Sequence, residues 1–168
     1  LCTALDVTYD PAEDEARAQQ ALRHAKALLG DTEIAIDYTA TPAPMSLARC
    51  LIEHGLRVSR IYADSIAAGD LDDFRWLQEH APDIELYATV QVKLRVLPRE
   101  TQTPTLAIGQ KAAYFTGTKH FVNIVEGGGM YGFDGLCRLA ELMEEAYRTE
   151  RDARDFIQQK GLGCDSCL

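Results

Sequence analysis

EIAIDYTATPAPMSLARCLIEHGLRVSRIY, residues 33–62, decides the fold. Glu33-Ile34-Ala35-Ile36-Asp37-Tyr38 reads as a short strand, apolar and β-branched at its centre. Thr41-Pro42 is the expected cap of a helix whose apolar face is Leu47, Ala48, Leu51 and Ile52, and Gly55 is its stop. Arg57 to Tyr62 is the next strand, with Val58 and Ile61 as its apolar residues. A strand, a helix and a strand joined by short connections, with no hairpin signal, is the repeating unit of a parallel sheet.

The pattern continues on both sides. Upstream, Asp10-Pro11-Ala12-Glu13 has the form of a helix start, with Asp10 as cap, Pro11 at the first helical position and Glu13 closing a capping box. Ala18, Leu22, Ala25 and Leu29 recur at helical spacing up to Gly30. Downstream, Asp70 and Asp73 open a third helix that runs through Phe74 and Leu77 to His80, before Pro82. Ile84 to Val90 is strand-like, and Val92, Leu94 and Val96 continue the alternation. Thr105 to Ile108 is a short apolar strand, and Gly109 leads into a helix carrying Lys111, Tyr114 and Phe115. Phe121 to Val125 is the last strand. Leu136, Leu139, Ala140, Met143 and Tyr147 mark a long amphipathic helix, and a shorter charged one is expected from about Arg151 to Lys160.

This alternation predicts an α/β, Rossmann-like three-layer domain with a mainly parallel sheet and helices on both faces. One such domain is expected over residues 1–168, with its core at 33–148 and a cysteine-containing tail at 161–168. In sheets of this kind ligands sit outside the carboxyl ends of the strands, so the loops after Tyr38, Tyr62 and Val125 are the places to look.

Composition narrows the function. The 168 residues are 46% hydrophobic and 26% charged, enough for a packed core. Asp and Glu number 26 against 17 Lys and Arg, a net charge of −9. That balance disfavours binding to nucleic acid or to an anionic membrane, and no apolar run reaches the ~18 residues of a membrane span. The five cysteines do not form a disulfide framework, so a reducing cytoplasm is expected. Because the chain opens at Leu1 rather than Met, it is expected to be a piece of a longer protein.

The sharpest local feature is Gly127-Gly128-Gly129, between the last strand and the long helix. Glycines permit positive φ and close approach of a ligand to backbone N–H groups, and a helix start near Asp134 suits an anion. The stretch is neither GxGxxG nor a P-loop. It is open to two readings: a tight turn capped by Asp134, or a loop lining a ligand. Glu126 beside it is placed to act as an acid or base or as a metal ligand, or else is a solvated strand end. Cys164 and Cys167 form a CxxC that could hold half of a metal site or a redox disulfide, and Cys2, Cys50 and Cys137 are scattered. The histidines show no HxH or HExxH spacing, and there is no GxSxG. His120 reads as a surface or core-edge residue and Trp76 as core. Lys93, Arg95 and Arg99 make a small basic patch, read as a solvated strand face.

Gly109-Gln110-Lys111 through Gly132-Phe133-Asp134-Gly135 resembles the carboxyl-terminal part of nitrogenase component 1 subunits. There, a G-x-K helix start leads through a strand to a glycine-containing turn and a G-[FY]-[DE]-G helix opening. Leu136-Cys137-Arg138-Leu139-Ala140 is similar to the helix that follows. Ile34 to Tyr38, Glu53-His54-Gly55-Leu56 and Val58 to Ile61 are similar to the family's strand, E-x-G-[LM] and strand. The resemblance spans about residues 33–148.

It implies one of three Rossmann-like domains in an oligomeric subunit that receives electrons from an ATP-dependent iron protein. The expectation is therefore a nitrogenase-like reductase domain of unknown substrate. It would line a metal-cofactor or substrate pocket with Glu126, Gly127, Gly128, Gly129 and Asp134, and pack against another subunit or domain. An iron–sulfur or other metal cluster is expected only in the full-length protein, with Cys164 and Cys167 as candidate ligands outside the family pattern. Family members that bind the catalytic cofactor carry a His near the end of the last strand, where this chain has Glu126 and Gly127. Nitrogen reduction is therefore not expected. The alternative is a non-catalytic module for a small anionic ligand or a partner subunit.

Overall fold

The computed structural model describes residues 8–96 and 103–153. The strands are β1 (Glu33–Asp37), β2 (Arg57–Tyr62), β3 (Glu85–Tyr87), β4 (Thr105–Ile108) and β5 (Phe121–Val122). The helices are α1 (Ala12–Leu29), α2 (Pro44–Glu53), α3 (Leu71–His80), α4 (Gln110–Thr116) and α5 (Gly132–Arg148). All strand pairs are parallel, in the order β3-β2-β1-β4-β5, so the protein is a Rossmann-like α/β domain with helices on both faces.

Alternation along the strands sorts the two faces. Ile34, Ile36, Leu106, Ile108 and Val122 share a core with Leu22 and Leu29 of α1, Leu51 of α2, Leu77 of α3 and Met143 of α5. On the other side Ala35, Ala107 and Phe121 lie with Ala112 and Ala113 of α4. Alanine facing alanine lets this seven-residue helix sit close to the sheet. The pairing of β1 with β2 skips Ser59, since Ile34 faces Val58 and Ala35 faces Arg60. That bulge brings Val58 and Ile61, three positions apart, into the same core.

Several local expectations are corrected. Pro11 occupies the cap position of α1, Asp10 Oδ1 accepts the Ala12 N–H at 3.0 Å, and Glu13 closes no capping box. The helix at α2 begins at Pro44, beyond Thr41-Pro42, and its cap comes from another segment. Asp70 accepts the Met45 N–H at 3.0 Å and the Ser46 N–H at 2.9 Å. Asp70 thus stands at the head of α3 but caps α2. Residues 92–95 form a 3-10 turn rather than a strand, and the last strand stops at Val122. The helix at α5 starts at Gly132, so Asp134 lies inside its first turn instead of capping it. Residues 154–160 of the expected charged helix, and the tail with Cys164 and Cys167, lie outside the described residues.

Candidate functional site at the carboxyl edge of the sheet

The strand order reverses at β1, whose neighbours are β2 on one side and β4 on the other. A crevice opens at such a point because the two following loops leave in opposite directions. Asp37, the last residue of β1, is completely buried there. Its Oδ1 accepts the Thr39 N–H (2.8 Å), the Thr39 hydroxyl (2.5 Å) and the Ala40 N–H (3.1 Å), and its Oδ2 accepts the Ala112 N–H (2.8 Å). One carboxylate therefore ties the β1–α2 loop to the first turn of α4. Burial pushes its pKa up, against the pull of those hydrogen bonds. Gly109 (φ +109°) is needed beside it, since a Cβ there would fall 2.2 Å from Asp37 Oδ2.

Four side chains meet above this hub. The Lys111 ammonium donates to the Tyr38 hydroxyl and lies 4.3 Å from the centre of its ring. Tyr38 in turn donates to Asp64, which also accepts from the Thr89 hydroxyl. Burial works against ionisation of Asp64, but the hydrogen bonds from Thr89 and Tyr38 and the Lys111 charge outweigh it and hold its carboxyl below the usual range. Each of these residues follows a strand end by one to three positions: Tyr38 after β1, Asp64 after β2, Thr89 after β3 and Lys111 after β4. Their position relative to the strands was the available signal, because no spacing motif links them. Tyr62, at the end of β2, stacks on Tyr87 and Phe115 at 5.4 and 5.1 Å between ring centres, and burial keeps its phenol protonated. The arrangement offers an ammonium and a phenol backed by a carboxylate, suited to hold an anionic or oxygen-bearing group and to move a proton.

The glycine turn lies beside the same loop. Residues 126–129 form a 3-10 turn in which Glu126, Gly127, Gly128 and Gly129 all have positive φ. The Glu126 and Gly127 N–H groups donate to the Thr39 and Ala40 carbonyls, both at 2.7 Å, so the turn is anchored to residues that Asp37 positions. Glu126 is exposed. Gly127 lines a cleft of about 400 Å³ between α2 and α5, whose lining does not include Glu126, Gly128, Gly129 or Asp134. The Asp134 carboxylate pairs with Arg17 at 2.5 Å on the surface. Gly135 is fixed by sterics, because a Cβ there would come within 2.8 Å of the Met130 backbone.

The other sequence candidates lie elsewhere. His120 Nδ1 lies 3.0 Å from the Ala146 carbonyl, at the amino end of the sheet. Trp76 stacks on His80 of its own helix α3 at 4.5 Å and lies 5.0 Å from the guanidinium of Arg49 on α2. Lys93 is exposed on the 3-10 turn, and Arg99 lies outside the described residues.

No family model matches the sequence, and no curated protein matches it. The fold does have a counterpart among solved structures, described as "Nitrogenase Cp1 at pH 6.5", with a TM-score of 0.57 and 14% identity. The chain is similar in fold to nitrogenase Cp1. The match covers 98% of this chain and 38% of the nitrogenase Cp1 chain, so this protein spans well under half of that length. The likeness to nitrogenase Cp1 agrees with the motif resemblance and concerns the fold.

The described residues do not by themselves fit a metal cluster: no three His, Cys, Asp or Glu among them gather into a metal site. Cys50 and Cys137 are half-buried free thiols on different helices. Among the described residues no helix is long and apolar enough to cross a membrane.

Proposed function

We propose that this chain is a domain of a nitrogenase-like oxidoreductase of the component 1 type, contributing one wall of a cofactor or substrate pocket. The observation that carries this reading is the convergence of Tyr38, Asp64, Thr89 and Lys111 at the switch point of a fold shared with nitrogenase Cp1. In this reading Lys111 and Tyr38 hold an anionic or oxygen-bearing group of the bound molecule, and Asp64 keeps the Tyr38 proton in place. Glu126 and Gly127 to Gly129 form the rim, with Asp134 behind them in the first turn of α5. An iron–sulfur or other cluster would supply the electrons. Its ligands would come from residues such as Cys164 and Cys167, or from another subunit of an oligomer served by an ATP-dependent iron protein.

The second reading is a non-catalytic module for a small anionic ligand or a partner subunit. What favours it is the Lys111 cation at the crevice of an otherwise acidic chain.

Anaerobic purification of the full-length protein separates the two. Bound iron and acid-labile sulfide, retained less well in Lys111→Met at unchanged thermal midpoint, is the expected result. A colourless protein that binds an organic anion through Lys111 overturns the reductase reading in favour of the module.

A further inference from the structure

We propose that the cleft between α2 and α5 is a binding site for a small, neutral, apolar molecule, distinct from the polar crevice above it. Its walls are Leu47 and Cys50 of α2 and Leu136 and Leu139 of α5, and Ile124 and Met130 add further apolar surface. Small residues keep it open. Ala40 and Ala43 stand on one side and Gly132 and Gly135 on the other, and Gly135 cannot be larger without striking the Met130 backbone. Packing cannot close the gap from the α5 side, because α5 is committed to α1 and to the sheet through Leu139, Ala140, Met143 and Ala146.

The chemistry of the lining selects the ligand. Among the described residues no Asp, Glu, Lys, Arg or His lines the cleft, in a chain that is 26% charged. The polar side-chain groups are the hydroxyls of Thr41 and Ser46 and the Cys50 thiol. Thr41 Oγ1 already accepts the Ala43 N–H, and burial pushes the Cys50 thiol up, so it stays neutral. An anion, a metal ion or a nucleotide would find no charge partner here. An apolar molecule would be desolvated on both faces, with side-chain polar contact only at Thr41 and Ser46. An apolar cavity of about 150 Å³ accommodates benzene, so about 400 Å³ has room for a molecule of two or three fused rings or its aliphatic equivalent. Of the residues assigned to the reductase pocket only Gly127 also lines this cleft, and Tyr38, Asp64, Thr89 and Lys111 do not, so binding of an apolar probe here is read separately from the reductase test.

The test uses the full chain with N-phenyl-1-naphthylamine, a neutral apolar fluorophore, and toluene as competitor. Saturable fluorescence displaced by toluene is expected, with affinity reduced about tenfold or more in Cys50→Phe, which fills the cleft. Independently, in the unmodified protein, toluene should slow alkylation of Cys50 by N-ethylmaleimide several-fold and leave Cys137 unaffected, as read by peptide mass mapping. This second measurement decides the matter even if Cys50→Phe does not fold. Absence of saturable binding, equal affinity in a folded Cys50→Phe, or unprotected Cys50 overturns the proposal. So does fluorophore binding that appears only as the protein dissociates on dilution, because the cleft would then be covered by a second copy.

Discussion

Asp37 and Gly109 occupy adjoining space, and each constrains what the other can be. Gly109→Ala must displace a buried carboxylate that holds four donors, so a loss of about 3 kcal/mol or more is expected. Gly127→Ala is the control: with φ +77° and ψ −5° it lies near the left-handed region, nothing lies within 4 Å of the added carbon, and only the ~1–2 kcal/mol of left-handed strain applies. Urea midpoints of the two variants check the contrast. The charge of Asp37 makes a separate prediction. Burial raises its folded pKa above the unfolded value, so over that interval the folded state binds the proton more readily. Its contribution to stability is therefore full below the ordinary carboxylate value and declines as pH rises through the folded pKa. Asp37→Asn removes this dependence. It also sets an amide N–H₂ against the Ala112 N–H or the Thr39 and Ala40 donors, which costs about 1–3 kcal/mol. The stability gap between wild type and Asp37→Asn should be widest at acid pH and shrink toward neutrality, as followed by urea unfolding across the range. A gap that widens with pH would contradict the raised pKa.

At the level of elements, α2 owes its amino terminus to Asp70, which follows that terminus by 24 and 25 residues. Asp70→Ala should cost about 1–2 kcal/mol and speed hydrogen exchange at Met45 and Ser46, while exchange in the first turn of α3 is little changed. Sequence reading placed a cap at Thr41-Pro42 because it sees only neighbours, and a cap supplied across the fold leaves no local trace. The elements that are legible, α1, α2, α3, α5, β1, β2 and β4, are those whose apolar residues meet a buried face. Val92 to Val96 keeps a period of two, but only Leu94 is buried, at 4%, while Val92 and Val96 are 72% and 81% exposed beyond the edge strand β3. One buried residue out of three does not need an extended backbone, and the 3-10 turn at Val92–Arg95 packs Leu94 inward. The loops after Tyr38 and Tyr62 could be named in advance from the parallel topology. The contacts of Tyr38, Asp64, Thr89 and Lys111 could not, because they depend on where four separate strand ends stop.

Taken as a whole, the molecule leaves Val90, Val92 and Val96 exposed in the segment that follows β3, in a chain that spans 38% of the length of the nitrogenase Cp1 chain it resembles. Covering a valine is worth about 1.5 kcal/mol or more, so this face is expected to meet another subunit or domain. Val92→Lys with Val96→Lys should weaken association of the full-length protein roughly a hundredfold, as measured by sedimentation velocity; unchanged association would place the contact elsewhere. Asp37 also bears on how fast the chain assembles. Its bonds to Thr39 and Ala40 reach two and three residues along the chain, and its bond to Ala112 reaches 75. The near bonds can form as soon as β1 meets α2, whereas the far one waits for β4 to close a long loop and dock against β1. The same carboxylate thus belongs to an early event through one oxygen and to a late one through the other. Weakening the late bond should leave the refolding rate nearly unchanged and accelerate unfolding, so the lifetime of the native crevice is set on the α4 side.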